Sequence, residues 1–363
     1  METYSLRPGL IRYIRSINEI NPLSMKQIVS SSHTRFTQFF AITVGAWIAF
    51  AGAVQAQTDA TSTTAATNAA PGNAQPATPS APTDITQIVG AKITKTGNVI
   101  TAFQIDDSRT LTDDDYKLIR QTESLKSISF GRGPTGAGLK ILAGMPAIES
   151  FGSNGTPLTD ADIALLATFK NLHGVTFFHP GGQFTGTGLA ALAVLPNLEN
   201  MTMAGSYAFG DPGMAAVGQL THLKAFRTWH NNVTVEGIKS LVSLKQLANL
   251  MLGQRLSSKP PPSISDDSIA VLANIPSLEV LTVSQARLSL SSLSKLSQLP
   301  NLKVLTLGEI DIPESDIATL KQQLPKTDIR FTPASPRSLQ WINVVFGPPA
   351  TASGTTPPTS ELK

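Results

Sequence analysis

One short phrase returns eight times along this chain at nearly constant spacing. It reads LKSISF from Leu125, IESFGS from Ile148, LHGVTF from Leu172, LENMTM from Leu198, LKAFRT from Leu223, LANLML from Leu247, LEVLTV from Leu278 and LKVLTL from Leu302. Successive starts lie 23, 24, 26, 25, 24, 31 and 24 residues apart. A fixed period of this size is the signature of a solenoid, in which each unit contacts only its neighbours.

The phrases carry apolar residues at their first and fourth positions and, in all but two (Ser153 and Thr228), at the sixth, so the last two share one face of a short strand. Leu302, Leu305 and Leu307 show the pattern most cleanly. A turn follows, such as Gly308 or Ser153-Asn154-Gly155, and then a helical segment with a marked start. Thr159-Asp160-Ala161-Asp162 and Ser265-Asp266-Asp267-Ser268 place a capping hydroxyl and first-turn acids before an apolar run. Ile163, Leu166 and Phe169 recur at helical spacing, as do Ile269, Leu272 and Ile275. Pro146, Pro196, Pro276 and Pro300 end the helices two residues before the next anchor. One unit cannot bury its own apolar face. Stacked units share a continuous core, with a parallel sheet on one side and helices on the other.

These residues resemble the leucine-rich repeat family. The stretch LTDADIALLATFKNLHGVTF, from Leu158 to Phe177, is similar to repeats of secreted bacterial leucine-rich repeat proteins, in which a Thr-Asp turn opens the convex helix. The resemblance covers roughly 85–332. It implies an α/β solenoid of about eight repeats plus caps, with a curved parallel sheet on the concave face and short helices on the convex face. The family's asparagine after the strand is expected at Asn154. Gly131, Ala204 and Gly308 replace it in other units, which predicts a weakened asparagine ladder.

The chain has no cysteine, so disulfides, thiolate metal sites and cysteine nucleophiles are excluded. The formal charge of +3 misleads, because residues 1–56 hold Arg7, Arg12, Arg15, Lys26 and Arg35 against Glu2 and Glu19 and account for all of it. Beyond residue 56 the chain is neutral, which gives no electrostatic footprint for nucleic acid or an anionic membrane. His173, His179, His222 and His230 show no metal-ligand spacing. No nucleophile elbow or phosphate loop occurs. The triplet Asp113-Asp114-Asp115 reads as a helix first turn and not as a cation loop. The chain is expected to be no enzyme, with no cofactor and no metal.

In chain order, residues 1–24 read as an extension ahead of a better start at Met25. Residues 25–56 read as a signal peptide: Lys26 and Arg35, an apolar run from Phe39 to Val54, and the small residues of Val54-Gln55-Ala56 before Gln57. An uncleaved leader would give the one expected membrane contact. Residues 57–84, rich in Ala, Thr and Pro, form an expected disordered linker. Residues 85–124 form an N-terminal cap repeat, with a turn at Thr96-Gly97-Asn98, a strand at Val99–Ile105 and a helix opened by Thr112. The repeats run over 125–332, with an insertion at 255–262 before the seventh. Residues 333–363 comprise a C-terminal cap segment, in which 339–346 is expected to cover the last repeat's open end, and a disordered tail.

On each strand the residues alternating with the anchors point out of the concave face. Most are small and polar. The middle differs: Phe178 and Trp229 sit two repeats apart, about 10 Å at roughly 4.8 Å per strand, with Ala204 between them. His179, Arg227, His230 and Met251 flank them. Aromatic residues and arginine grouped on a surface are the usual anchors of an interface. Two placements stay open, an exposed patch or burial of both rings against the turns at 207–209 and 230–232. The favoured function is a non-enzymatic protein-interaction module, periplasmic or secreted, that binds a partner through the concave surface at Phe178, His179, Arg227, Trp229, His230 and Met251. A glycan or cell-wall ligand stacked on the two rings is the second reading, and an effector acting on host proteins the third.

Overall fold

The computed structural model describes residues 83–255 and 261–348. The expectations for the leader, most of the linker, the centre of the 255–262 insertion and the C-terminal tail lie outside the described residues.

Among the described residues eleven strands form one sheet, and their order in space is their order in sequence. They are β1 (Ala91–Thr96), β2 (Val99–Ile105), β3 (Ser127–Gly131), β4 (Ser150–Asn154), β5 (Gly174–Phe178), β6 (Asn200–Ala204), β7 (Ala225–Trp229), β8 (Asn249–Leu252), β9 (Val280–Ser284), β10 (Val304–Ile310) and β11 (Asp328–Pro333). From β2 onward every pairing is parallel. A helical segment crosses back between consecutive strands. The fold is an α/β leucine-rich-repeat solenoid whose strands β3–β10 fall on the eight phrases.

The three anchors of each phrase are buried almost throughout, and the convex segments supply the other half of the core. Tilted rings at Phe103, Phe130, Phe151, Phe177 and Phe184 pass contact from repeat to repeat, with centroids 5.9, 6.2, 6.0 and 5.1 Å apart. Beyond them Phe209, Phe226 and aliphatic anchors continue the core. One convex segment, Thr187–Val194, is a 3₁₀ helix throughout, and others switch from α to 3₁₀ in mid-course, as at Asp160–Ile163 followed by Ala164–Thr168. The apolar residues there recur at strict intervals of three, as in Leu189, Leu192 and Leu195. A helix of three residues per turn keeps such a row on one face.

Neighbouring repeats are joined by three rows of polar contacts. On the convex side an aspartate in one helix's first turn caps the next unit. Asp160 accepts from the Thr185 hydroxyl at 2.6 Å and from the backbone N–H groups of Thr185, Gly186 and Gly188. Asp211 accepts from Thr234, and Asp266 from Ser289 and Ser292. At the strand entry, Lys126, Lys224 and Lys303 pair with Glu149, Glu199 and Glu279 at 2.6–2.9 Å. These pairs are exposed enough to contribute only modestly. At the strand exit of every repeat but the sixth, one residue turns into the left-handed region, at Arg132, Gly155, His179, Gly205, His230, Gln285 and Glu309. Its N–H donates to a carbonyl of the next repeat, as from His179 to Ala204 at 2.9 Å and from His230 to Gln254 at 2.8 Å.

The asparagine expectation needs correction. Asn154 is half-exposed, and its side-chain oxygen faces His179 Nδ1 at 3.1 Å. It lies in phase with the outward residues and not with the buried turn. The ladder position falls two residues later in the repeat, where Thr156, Ser206 and Asn231 are all buried. Asn231 donates to the Met203 carbonyl and the Thr228 hydroxyl, and its oxygen accepts from the Ser206 N–H. Gln254 does the same work in the sixth repeat, accepting from the N–H of Ser263 and of Ile264 and donating to the Ile264 carbonyl.

The caps also differ in detail from expectation. At the N-terminal end β2 is joined by an antiparallel β1 that the sequence reading did not find. Asp115 closes a capping box with Thr112 at the start of the helix Asp113–Gln121. At the C-terminal end β11 is the final parallel strand. The helix Pro336–Phe346 is held by Arg287, which donates to Asn343 and Gly347, and by Glu309, which accepts from Ser338. These contacts tie it to the strand-exit side of the last units. Ile342 and Val345 of this helix are buried, and Phe346 packs against the core.

Candidate functional site

Strand register sets the concave face residue by residue. One row runs Ser129, Gly152, Thr176, Thr202, Arg227, Met251, Thr282, Thr306, each paired with the next across the sheet. The row two residues later brings Phe178 beside Ala204 and Ala204 beside Trp229. The row two residues earlier runs from Ser127 to Val304 without a charged residue. Across all three rows on β3–β10, Arg227 is the one charged side chain.

The spacing estimate of about 10 Å describes the backbones. The rings themselves close to 5.8 Å between centroids, tilted by 58°. Ala204 makes this approach feasible, since its methyl group lies between the two strands and is 1% exposed. Phe178 and Trp229 are both half-exposed, so neither is lost into the turns at 207–209 or 230–232. Trp229 also depends on Gly253 in the next repeat, where a Cβ would come within 2.5 Å of the Trp229 Cβ.

The same arrangement recurs one residue on. His179 and His230 flank Gly205, all three in the left-handed region. A Cβ on Gly205 would meet the His179 ring at 2.4 Å, so the glycine is required by the close approach as well as by its φ of 77°. His179 keeps solvent access, yet the concave wall displaces enough bulk water to hold its pKa below the usual histidine value. His230 is lowered first by burial and then by the proximity of His179, whose charge would repel its own. Burial also lowers the Arg227 pKa, leaving the guanidinium cationic at neutral pH.

The structure therefore brings together Phe178, His179, Trp229 and His230, with the Phe178 and Trp229 rings converging over Ala204 and the His179 ring set close against Gly205, and with Arg227 and Met251 adjacent in the neighbouring row. Sequence reasoning missed Ala204 and Gly205 as the residues that let the pairs meet, and Asn154 as the hydrogen-bond partner of His179. Small residues at matching repeat positions between two large ones were the available signal. Among the described residues no group of three or more His, Cys, Asp or Glu side chains is placed to hold a metal ion.

No family model matches the chain, and no curated protein does. Solved structures with a similar fold include two internalins of Listeria monocytogenes. The first (inlF) has 16% identity and a TM-score of 0.39, and the match covers 60% of this chain and 71% of that one. The second (inlC2) has 19% identity and a TM-score of 0.35, covering 62% of this chain and 84% of that one.

Proposed function

We propose that this chain is a non-enzymatic interaction protein that binds a partner protein through the middle of its concave sheet. The observation that carries the reading is the paired ring ridge of Phe178 and Trp229 beside Arg227, on a face otherwise built of small uncharged residues. Interfaces draw most of their energy from a few aromatic and arginine side chains in such a setting, and the smooth surround excludes water around them. A rigid scaffold pre-pays the ordering of these groups. The ring tilt favours a protein over a polysaccharide, because two rings inclined by 58° form a ridge and not a continuous flat shelf for sugar faces.

The test is capture from an envelope extract by the full chain and by its Phe178→Ala/Arg227→Ala/Trp229→Ala variant. A protein recovered by the wild type alone supports the reading. Equal recovery by both refutes it. Export to the periplasm or the surroundings is part of the same proposal and rests on the basic, apolar and small-residue order of residues 25–56. A mature chain whose N-terminus is Gln57 supports cleavage, and an intact chain confined to the cytosol refutes export.

A further inference from the structure

Three rows of the concave face carry one charge, and it is positive. The acids of the repeats are placed elsewhere. Glu149, Glu199 and Glu279 are engaged by lysines at the strand-entry rim, and Asp160 and Asp266 are committed to caps on the convex side. The face is thus cationic at its centre and has no carboxylate of its own in those rows. The guanidinium of Arg227 is a rigid fork of five N–H donors, able to serve several acceptors at once, and its geometry matches a carboxylate. It is half-buried, where an added anion is screened less than at an open surface.

Geometry sets the rest of the complement. Arg227 and Trp229 are two residues apart on β7, and residues i and i+2 of a strand point the same way about 6.6 Å apart. An extended segment laid along β7 presents its own i and i+2 side chains at the same spacing. We propose that the partner docks an extended acidic segment here, with an aspartate or glutamate on Arg227 and an aromatic or aliphatic side chain two residues away on the Phe178–Trp229 ridge. This rests on the protein-binding reading above and adds the chemistry of the partner. The lowered pKa values of His179 and His230 agree with it, since both rings stay neutral near pH 7 and leave Arg227 as the face's permanent charge.

The experiment is selection from a displayed library of random linear heptapeptides on the full chain, on Arg227→Met and Arg227→Lys, and on the Phe178→Ala/Trp229→Ala double variant, each first matched to wild type in circular dichroism and melting. The wild type should enrich peptides with an acid two positions from an aromatic or aliphatic residue. A synthesised peptide of this set should bind roughly ten- to hundredfold more weakly to Arg227→Met, the range for losing a charged hydrogen-bonded pair. Its amide analogue should lose as much on wild type and little more on Arg227→Met, while Arg227→Lys should retain part of the affinity. Enriched peptides that need Phe178 and Trp229 but are neutral or basic, or keep full affinity for Arg227→Met, overturn the acidic inference and leave the docking reading standing. Peptides indifferent to both variants, or no enrichment while a glycan array is bound, overturn the two together.

Discussion

Replacing Asn231 with alanine tests which residue holds the turn of this solenoid. Asn231 is 3% exposed and makes three hydrogen bonds: to the Met203 carbonyl at 2.8 Å, to the Thr228 hydroxyl at 2.7 Å, and from the Ser206 N–H at 2.9 Å. Each contributes about 1 kcal/mol net, and the buried Ser206 N–H left without its acceptor adds a desolvation cost of about 1–3 kcal/mol. Part of the two overlaps, so the expected loss is about 3 kcal/mol. Asn154→Ala is the control. Its side chain meets His179 at an exposed contact, and its removal should cost less than about 0.5 kcal/mol. The assay is urea unfolding followed by far-ultraviolet circular dichroism at pH 7.5, with the denaturant slope fitted for each variant. A loss below about 1 kcal/mol for Asn231→Ala, or a larger loss for Asn154→Ala, would refute the assignment of Asn231 as the internal tie.

Ala204→Leu adds a branched side chain beneath the two rings and should separate them, at a cost of about 1–3 kcal/mol from overpacking. The readout is Trp229 emission and near-ultraviolet circular dichroism, and an unchanged spectrum would show that the rings do not rest on Ala204. Ser153 is fully buried with a hydroxyl that has no hydrogen-bond partner, so Ser153→Ala should be neutral or raise stability by up to about 1 kcal/mol. A loss greater than 1 kcal/mol in the same urea series would point to a bond that the static geometry misses. His179 and His230 both titrate below 6.5 in the folded chain, so the unfolded chain takes up protons first as pH falls. Stability from these two groups is present above pH 6.5 and lost on acidification below it. His179→Ala should raise the His230 pKa, and proton NMR titration that finds it unmoved would remove the coupling between the rings.

The fold was legible because the solenoid is specified locally and repeatedly. Each phrase carries its own strand anchors, capping hydroxyl, first-turn acid and terminating proline, and eight weak statements in phase make one strong one. What periodicity could not supply was the identity of contacts between units. The aspartates at Asp160, Asp211 and Asp266 read as ordinary first-turn acids, which they are, but their second role is to bond the next repeat some 23 to 28 residues on. The ladder asparagine was misplaced because Asn154, which ends its strand, and Asn231, two residues past its own, both lie at a strand exit. The left-handed residue just past the outward position, Gly155 or His230, turns the chain and separates a side chain aimed at solvent from one aimed into the turn. β1 was missed because its alternation is half-hearted: Ala91 and Ile93 are half-buried and the remainder exposed.

The candidate site was legible in composition but not in shape. Listing the outward residues in register found Phe178, Arg227 and Trp229, since register follows from repeat length alone. It placed the rings as far apart as their strands, because sequence fixes the spacing of Cα atoms and leaves side-chain direction open. What closes the gap is the absence of bulk between them. Ala204 allows two large rings to lean together, and Gly205 leaves room for the His179 imidazole against its own left-handed backbone. In a solenoid each repeat is flanked by two others, so a small residue in the middle unit enlarges the reach of both neighbours. A site assembled this way takes its character from the large side chains and its existence from the small ones. Substituting Ala204 or Gly205 should therefore alter recognition as deeply as substituting Phe178 or Trp229, although Ala204 is buried and offers no surface to a partner.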